Sequence, residues 1–288
     1  MKKTVLVLFL FLGIFSNAQY QRFVYEYKFA IDSTAKDKVE TELMNLDIAP
    51  KGSKFYSKDY QEADSLMHAF IEKQVKSGNN DFSLKGVGYK GKLRYSVEKS
   101  YPDYAVSFIN SIGNEEYLVQ DSRVPQWKIL SDKDKIGNFS VQKAVCDFLG
   151  RRWTAWFTTE LPIQDGPYKF HGLPGMIVKI EDQSHSHTFE LKGVKKLDTA
   201  QEWISGKDKK RYNPLINVDE NKFKKVYSEY TKDPMKGLRQ MLNNGTIVEM
   251  RDDNGKVMDT NKMLRDDEKR AKEKLKKENN ILELDLLK

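Results

Sequence analysis

Between Gln21 and Phe29 (QRFVYEYKF) the chain alternates, with Phe23, Tyr25 and Tyr27 on one side and Val24, Glu26 and Lys28 on the other. A period of two sends successive side chains to opposite faces of an extended chain, so a half-buried strand is predicted. A polar stretch follows, and then Phe55-Tyr56 predicts a second short strand. Over residues 59–76 the period changes: Leu66, Met67, Phe70, Ile71 and Val75 recur at helical spacing. Ser77-Gly78-Asn79-Asn80-Asp81 supplies turn chemistry that ends this helix.

Residues 93–130 read as a meander of short strands, LRYSVE, YAVSFIN, EYLVQD and QWKIL, broken at Tyr101-Pro102-Asp103, Gly113-Asn114 and Arg123-Val124-Pro125. Strands at this spacing predict an antiparallel sheet. Ser131-Asp132-Lys133-Asp134 is expected to turn into further strands at 139–148 and 151–158, around Leu149-Gly150. Residues 176–181 and 188–194 predict a hairpin across Asp182–Ser186. Later the pattern turns helical. Asp219 is placed to cap a helix carrying Phe223, Val226, Tyr227 and Tyr230 on one face, and Asp233-Pro234 to open a second that ends at Asn243-Asn244-Gly245. Thr246–Met250 predicts one more strand, Thr260–Asn279 a charged, solvated helix, and ILELDLL an apolar tail forming a strand or docking segment. The expected class is therefore α+β and mainly antiparallel β. A curved sheet or half-barrel embraces helices concentrated in the C-terminal third, as in the envelope lipoprotein-carrier fold.

The first residues change the picture of where this fold works. Lys2 and Lys3 precede an apolar run over 5–15 and the small-residue site Ser16-Asn17-Ala18. That is the pattern of a secretory signal peptide over residues 1–18, with cleavage after Ala18. The apolar run is shorter than the about 20 residues a spanning helix needs. Residues 19–288 are then expected to form a single exported domain, periplasmic or extracellular, with a charged helical extension over about 260–288. Without Lys2 and Lys3, 47 basic residues face 42 acidic ones, a net charge of +5. Much of the excess lies in KRAKEKLKK (Lys269–Lys277), read as a solvated helix face, and no nucleic-acid-binding aromatic signature accompanies it. The single cysteine, Cys146, cannot form an internal disulfide, and its neighbours Val145 and Phe148 predict a buried, inert thiol.

One stretch is a signature: WTAWFTTELPIQDGPYKFHGLPGMIVKIED, from Trp153 to Asp182. Strand alternation puts Trp153, Ala155 and Phe157 on one face and Trp156 on the other. Pro162, Gly166-Pro167 and Gly172-Leu173-Pro174-Gly175 then impose tight turns, since proline fixes φ and restricts the residue before it. Two readings stand: a folding corner between strands, or a rigid rim beside an aromatic groove formed by Trp153, Trp156, Phe157, Pro167, Phe170, Gly172, Leu173, Pro174 and Gly175.

The run GPYKFHGLPGMIVKIED resembles the hallmark of the GLPGLI family, exported proteins of Bacteroidetes with no established biochemical function. In the order that family shows, the chain has Lys143-Ala144, Trp153-Thr154-Ala155-Trp156, Leu161-Pro162 and Gly166–Gly175. Met176-Ile177 replaces the usual Leu-Ile, a volume-conserving change. The ending Asn279-Asn280-Ile281-Leu282-Glu283-Leu284 is similar to the family's Asn-Pro-Ile-Glu-Leu but lacks the proline. The resemblance implies no catalytic residues. Through the phylum it implies O-glycan sites at Asp198-Thr199-Ala200 and Asp64-Ser65-Leu66.

Chemistry is sparse. Ser96-Val97-Glu98-Lys99 and Ser140-Val141-Gln142-Lys143 both spell S-x-x-K, yet both fall on predicted strands, whereas acylating serines open helices. His185 and His187, two apart on a strand, would share a face, and His171 or Asp182 could join them at a metal. No cofactor and no catalytic residue is predicted. The leading expectation is a non-enzymatic envelope or secreted protein that binds an apolar ligand, peptide or protein partner, with no nucleic acid and no integral membrane segment. The alternatives are an exported hydrolase or metal-dependent enzyme using His171, His185 or His187, and a structural accessory of an outer-membrane complex docking through its tail.

Overall fold

The computed structural model describes residues 20–76, 90–198, 205–208, 214–245, 257 and 259–288. The predicted leader (1–18), the turn at 77–81, Thr199-Ala200 and the strand and turn expected at 246–250 and 252–255 lie outside these. Twelve strands form one sheet: β1 (Gln21–Phe29), β2 (Glu40–Ala49), β3 (Gly52–Ser57), β4 (Ser96–Ser100), β5 (Val106–Ile112), β6 (Glu115–Asp121), β7 (Lys128–Ile136), β8 (Phe139–Phe148), β9 (Arg151–Thr158), β10 (Met176–Asp182), β11 (His187–Lys196) and β12 (Ile216–Asp219). Their spatial order is β12-β6-β5-β4-β3-β2-β1-β11-β10-β9-β8-β7. The short β12 lies parallel to β6, and every other pair is antiparallel. The sheet is curved and unclosed, with β12 and β7 at its edges.

β1 joins the halves, pairing β2 on one side and β11 on the other. Its alternation continues across the register. Phe23, Leu46, Phe55, Val97, Phe108 and Val119 form one buried row, and Tyr27, Phe189, Ile180, Ala155 and Ala144 another. Burial of such rows is the dominant favourable contribution to folding, at about 25 cal/mol per Å² of apolar surface. Tyr27 stacks on Phe189 with centroids 4.0 Å apart.

Among the described residues four α-helices complete the α+β fold: α1 (Lys58–Lys76), α2 (Glu220–Lys232), α3 (Lys236–Asn243) and α4 (Thr260–Lys277), three of them in the C-terminal third. Asp219 caps α2 by accepting from the Lys222 amide. Phe223 of α2 meets Phe108 and Tyr117 edge-on, so this helix covers the β5–β6–β12 end of the core face. Pro234 does not open α3. It sits in a turn while Asp233 closes α2, and α3 starts at Lys236 without a side-chain cap.

Three local readings change. The stretch taken as polar holds β2, because Glu42 and Asp47 are buried with partners: Glu42 with Ser57 and the Lys92 amide, Asp47 with Arg22 and Tyr56. The turn expected at Ser131–Asp134 is continuous strand, and the chain reverses at Gly137-Asn138, where Gly137 takes positive φ. The apolar tail forms a single 3-10 turn (Leu284–Leu287), not a strand.

Candidate functional site

The signature leaves β9 and re-enters at β10, and between them it folds back over the core face. Residues 165–171 are all buried. Loop closure needs Gly175, where a Cβ would lie 2.0 Å from the Thr158 carbonyl oxygen. Gly172 takes φ +91°, a region open to glycine at low cost. Trp153, Phe157, Phe170 and Leu173 are core residues, and Trp153 meets Phe170 edge-on at 4.9 Å. Pro167 and Gly175 are buried with them, while Gly172 and Pro174 are exposed. Trp156 faces the other way, between Lys143 and Lys179 in register, with the Lys143 ammonium 5.7 Å from its ring centroid. The nine signature residues therefore do not line one groove. Residues 165–171 of the loop are packed into the core instead.

Three buried polar clusters lie on this face, and the first two hold the plug. In the first, the fully buried Lys99 ammonium lies 2.6 Å from Asp165 and donates to the Gly166 and Tyr168 carbonyls at 2.8 and 2.9 Å. Asp165 also accepts from the Tyr101 hydroxyl at 2.5 Å and the Gly166 amide at 2.6 Å. Burial pushes the Lys99 pKa down, and Asp165 counters it. Lysine at a core-facing position between Val97 and Val106 was the available signal in the sequence, hidden inside a chance S-x-x-K. On this strand Ser96 and Lys99 point to opposite faces, so they cannot act together.

The second cluster centres on Lys169, 2.7 Å from Asp121 and 2.5 Å from Glu283, and 4.2 Å from the centroid of Phe108. Arg123 bridges Asp121, Glu283 and Asp285, and Tyr168 donates to Glu283. Burial alone would raise the Glu283 pKa, yet the charges of Lys169 and Arg123 hold it below the usual carboxylate range. The third cluster centres on Arg151, which donates to Asp182 at 3.0 Å, to the Asn280 side chain at 2.7 Å and to the Ile281 and Leu282 carbonyls at 2.6 and 3.0 Å. His187 lies between the Tyr27 hydroxyl (2.6 Å), the Arg151 guanidinium (3.0 Å) and the Asn280 carbonyl (2.8 Å). Two of the clusters thus tie down residues 280–285, so the apolar tail is docked on its own sheet.

His171, His185 and His187 do not converge. His187 opens β11 in the interior, His185 is exposed in the hairpin turn 3.3 Å from Glu181, and His171 stacks on Tyr104 with centroids 5.2 Å apart. Burial, then the charge of Lys99, lowers His171 to about 4; burial, then Arg151, lowers His187 to about 4. The Nε2 of His171 is buried without a hydrogen-bond partner. Among the described residues no group of three His, Cys, Asp or Glu side chains is placed to hold a metal. Cys146 is buried, and its thiol is pushed up to about 12 by that burial.

Open space lies on the helical flank instead. A cleft of about 800 Å³ runs between α2, α4 and the tail turn. Its apolar lining is Tyr227, Leu275, Leu286 and Leu287, and six lysines against one glutamate complete the charged part. Helical spacing arranges this: Lys225 and Lys232 share a stripe of α2, and Lys272, Leu275 and Lys276 share one of α4. Lys272 and Lys276 of the Lys269–Lys277 run are exposed, as its pattern predicts, and they also line this cleft. A second cleft of about 630 Å³, beside Gly52, Ser100, Ser107 and Ser205, mixes Lys51, Lys207, Glu98 and Asp208 with Tyr20, Ala49, Pro50 and Ala105, so both cations and carboxylates line it. No described helix is long and apolar enough to cross a membrane.

The profile of a family described as "Protein of unknown function (Porph_ging)" matches residues 150–179, β9 and the plug loop. The chain is similar there to a family without an established function. No curated protein matches. Two solved structures of PNGF-II, in space groups P21 and C2, are 18% identical with TM-scores of 0.47 and 0.46. The match covers 73% of this chain and 33% and 32% of those chains, so the chain spans about a third of their length. A likeness at this level carries no functional argument.

Proposed function

We propose that this protein is an exported, non-enzymatic binding protein of the envelope or extracellular space, and that its ligand sits in the cleft between α2, α4 and the tail turn. The signal-peptide pattern of residues 1–18 and the resemblance to the exported GLPGLI proteins support the location. The observation that carries the binding reading is the contrast between two surfaces. The core face is closed by the plug loop and the tail, with its ionic groups paired internally. The flank cleft, about 800 Å³ with an apolar floor and a polar rim, has the size and composition of a small-molecule site.

Native mass spectrometry of the protein from its own host tests this reading. The expected result is a small molecule that stays bound natively, leaves on denaturation, and is lost from a Leu275→Asp/Leu286→Asp variant that still folds. A protein that always flies bare, or a bound molecule unaffected by those substitutions, overturns it.

A further inference from the structure

Most of the six lysines of the cleft are uncompensated. Among the described residues Lys224, Lys225, Lys232 and Lys276 make no ion pair, while Lys272 is paired with Glu268 at 2.6 Å. The one acidic lining residue, Glu229, is drawn toward Lys236 at 3.7 Å. Like charges four apart on a helix, as at Lys272 and Lys276, destabilise it slightly, and lysines from two helices facing one cleft concentrate positive potential there. A solvated face would not need the same cleft to present half-buried Tyr227, Leu275 and Leu286.

We infer that the ligand of this cleft is an anionic amphiphile, an acyl chain on the Tyr227–Leu275–Leu286 floor with a phosphate headgroup held by the lysine rim. The inference rests on the binding reading above and names its ligand class. The apolar floor accounts for the chain, since contact with it removes apolar surface from water. Lysine ammoniums, compact and mobile, bind phosphate as point charges and reach several of its oxygens at once. A wholly apolar ligand leaves the lysines without a role, and a hydrophilic anion leaves the floor without one.

The test uses three probes on the folded protein, below any micelle-forming concentration: dodecyl phosphate, dodecyl maltoside and inorganic phosphate. Calorimetry is expected to show dodecyl phosphate binding at least tenfold more tightly than the maltoside. Its affinity is expected to fall about tenfold in Lys225→Glu/Lys276→Glu, as loss of two partly solvated contacts implies, and with added salt. Inorganic phosphate alone should not bind measurably at millimolar concentration. Equal binding of the maltoside, unchanged by charge reversal, overturns the anionic headgroup while leaving the cleft as a site. Equal binding of inorganic phosphate overturns the acyl chain. Dodecyl phosphate binding that survives both Lys225→Glu/Lys276→Glu and Leu275→Asp lies elsewhere and overturns the assignment. No probe binding, beside a host molecule held in the cleft, overturns the ligand class alone; with a bare host protein, both readings fall.

Discussion

Lys99 carries the plug. Its ammonium is fully buried, and its partners are one carboxylate and a set of carbonyls from the signature loop. Removing one member of a buried pair leaves the other charge uncompensated, which costs roughly 3–5 kcal/mol, whereas replacing both with apolar groups costs far less. Lys99→Met should therefore lower stability by about that amount, and Lys99→Met/Asp165→Leu by clearly less than the two single substitutions summed. Urea unfolding of the four proteins measures it; strict additivity would show that the pair does not act as a unit. The alternation of β4 makes position 99 core-facing, but a core lysine is readable as a structural cation only once the loop carbonyls are placed around it.

The C-terminal tail behaves as a part of the core although it follows the most charged helix. Glu283 and Asn280 are buried, and Arg151, Arg123 and Lys169 all spend donors on residues 280–285. Deleting residues 280–288 should abolish a single cooperative thermal transition, because two buried cationic clusters lose their acceptors at once. Glu283→Gln, which keeps the shape and removes the charge, should destabilise by about 2–4 kcal/mol. A truncated protein melting at the wild-type temperature would show the tail to be dispensable. The same docking speaks against the tail as a free anchor for an outer-membrane complex.

At the scale of the whole molecule, two buried histidines are expected to make the fold acid-sensitive. His171 and His187 are held near 4, against an ordinary value of 6.5. Their folded pKa is depressed, so the unfolded chain takes up the protons first as pH falls. Stability is complete above about pH 6.5 and declines toward pH 4, with each histidine costing on the order of 2 kcal/mol by pH 5. Below that, Glu283 and Asp182, whose pKa values are also held low, add further loss as they protonate. His171→Phe keeps the ring over Tyr104 and removes the titrating group and its unpaired nitrogen. It should change stability little at pH 7 and reduce the fall between pH 7 and 5 by about 2 kcal/mol. An unaltered pH dependence in urea titrations would remove His171 from the account.

Local pattern settled many of the strands, though not β2, β12 or the full length of β7, because a sheet with one buried face writes its period directly into the chain. β1, β8 and β9 begin and end where the alternation does, the helices at 58–76 and 220–232 follow apolar spacing, Asp219 caps the second of them, and 260–277 is the helix its charged run predicts. The signature's turns were equally legible, since Gly and Pro limit the backbone wherever they stand. The destination of the loop was not. Whether a rigid turn forms the rim of a groove or the stopper of a core depends on Lys99, Lys169, Glu283 and Arg151, which lie as far apart in sequence as positions 99 and 283. β2 escaped for the same reason, its carboxylates looking solvent-facing until Arg22, Tyr56 and Ser57 are brought beside them. Charge runs carry no direction of their own either. Only the packing of α2 and α4 around the tail turned a solvated lysine stripe into the wall of a cleft, because a binding surface depends on which faces meet, and that is decided in three dimensions.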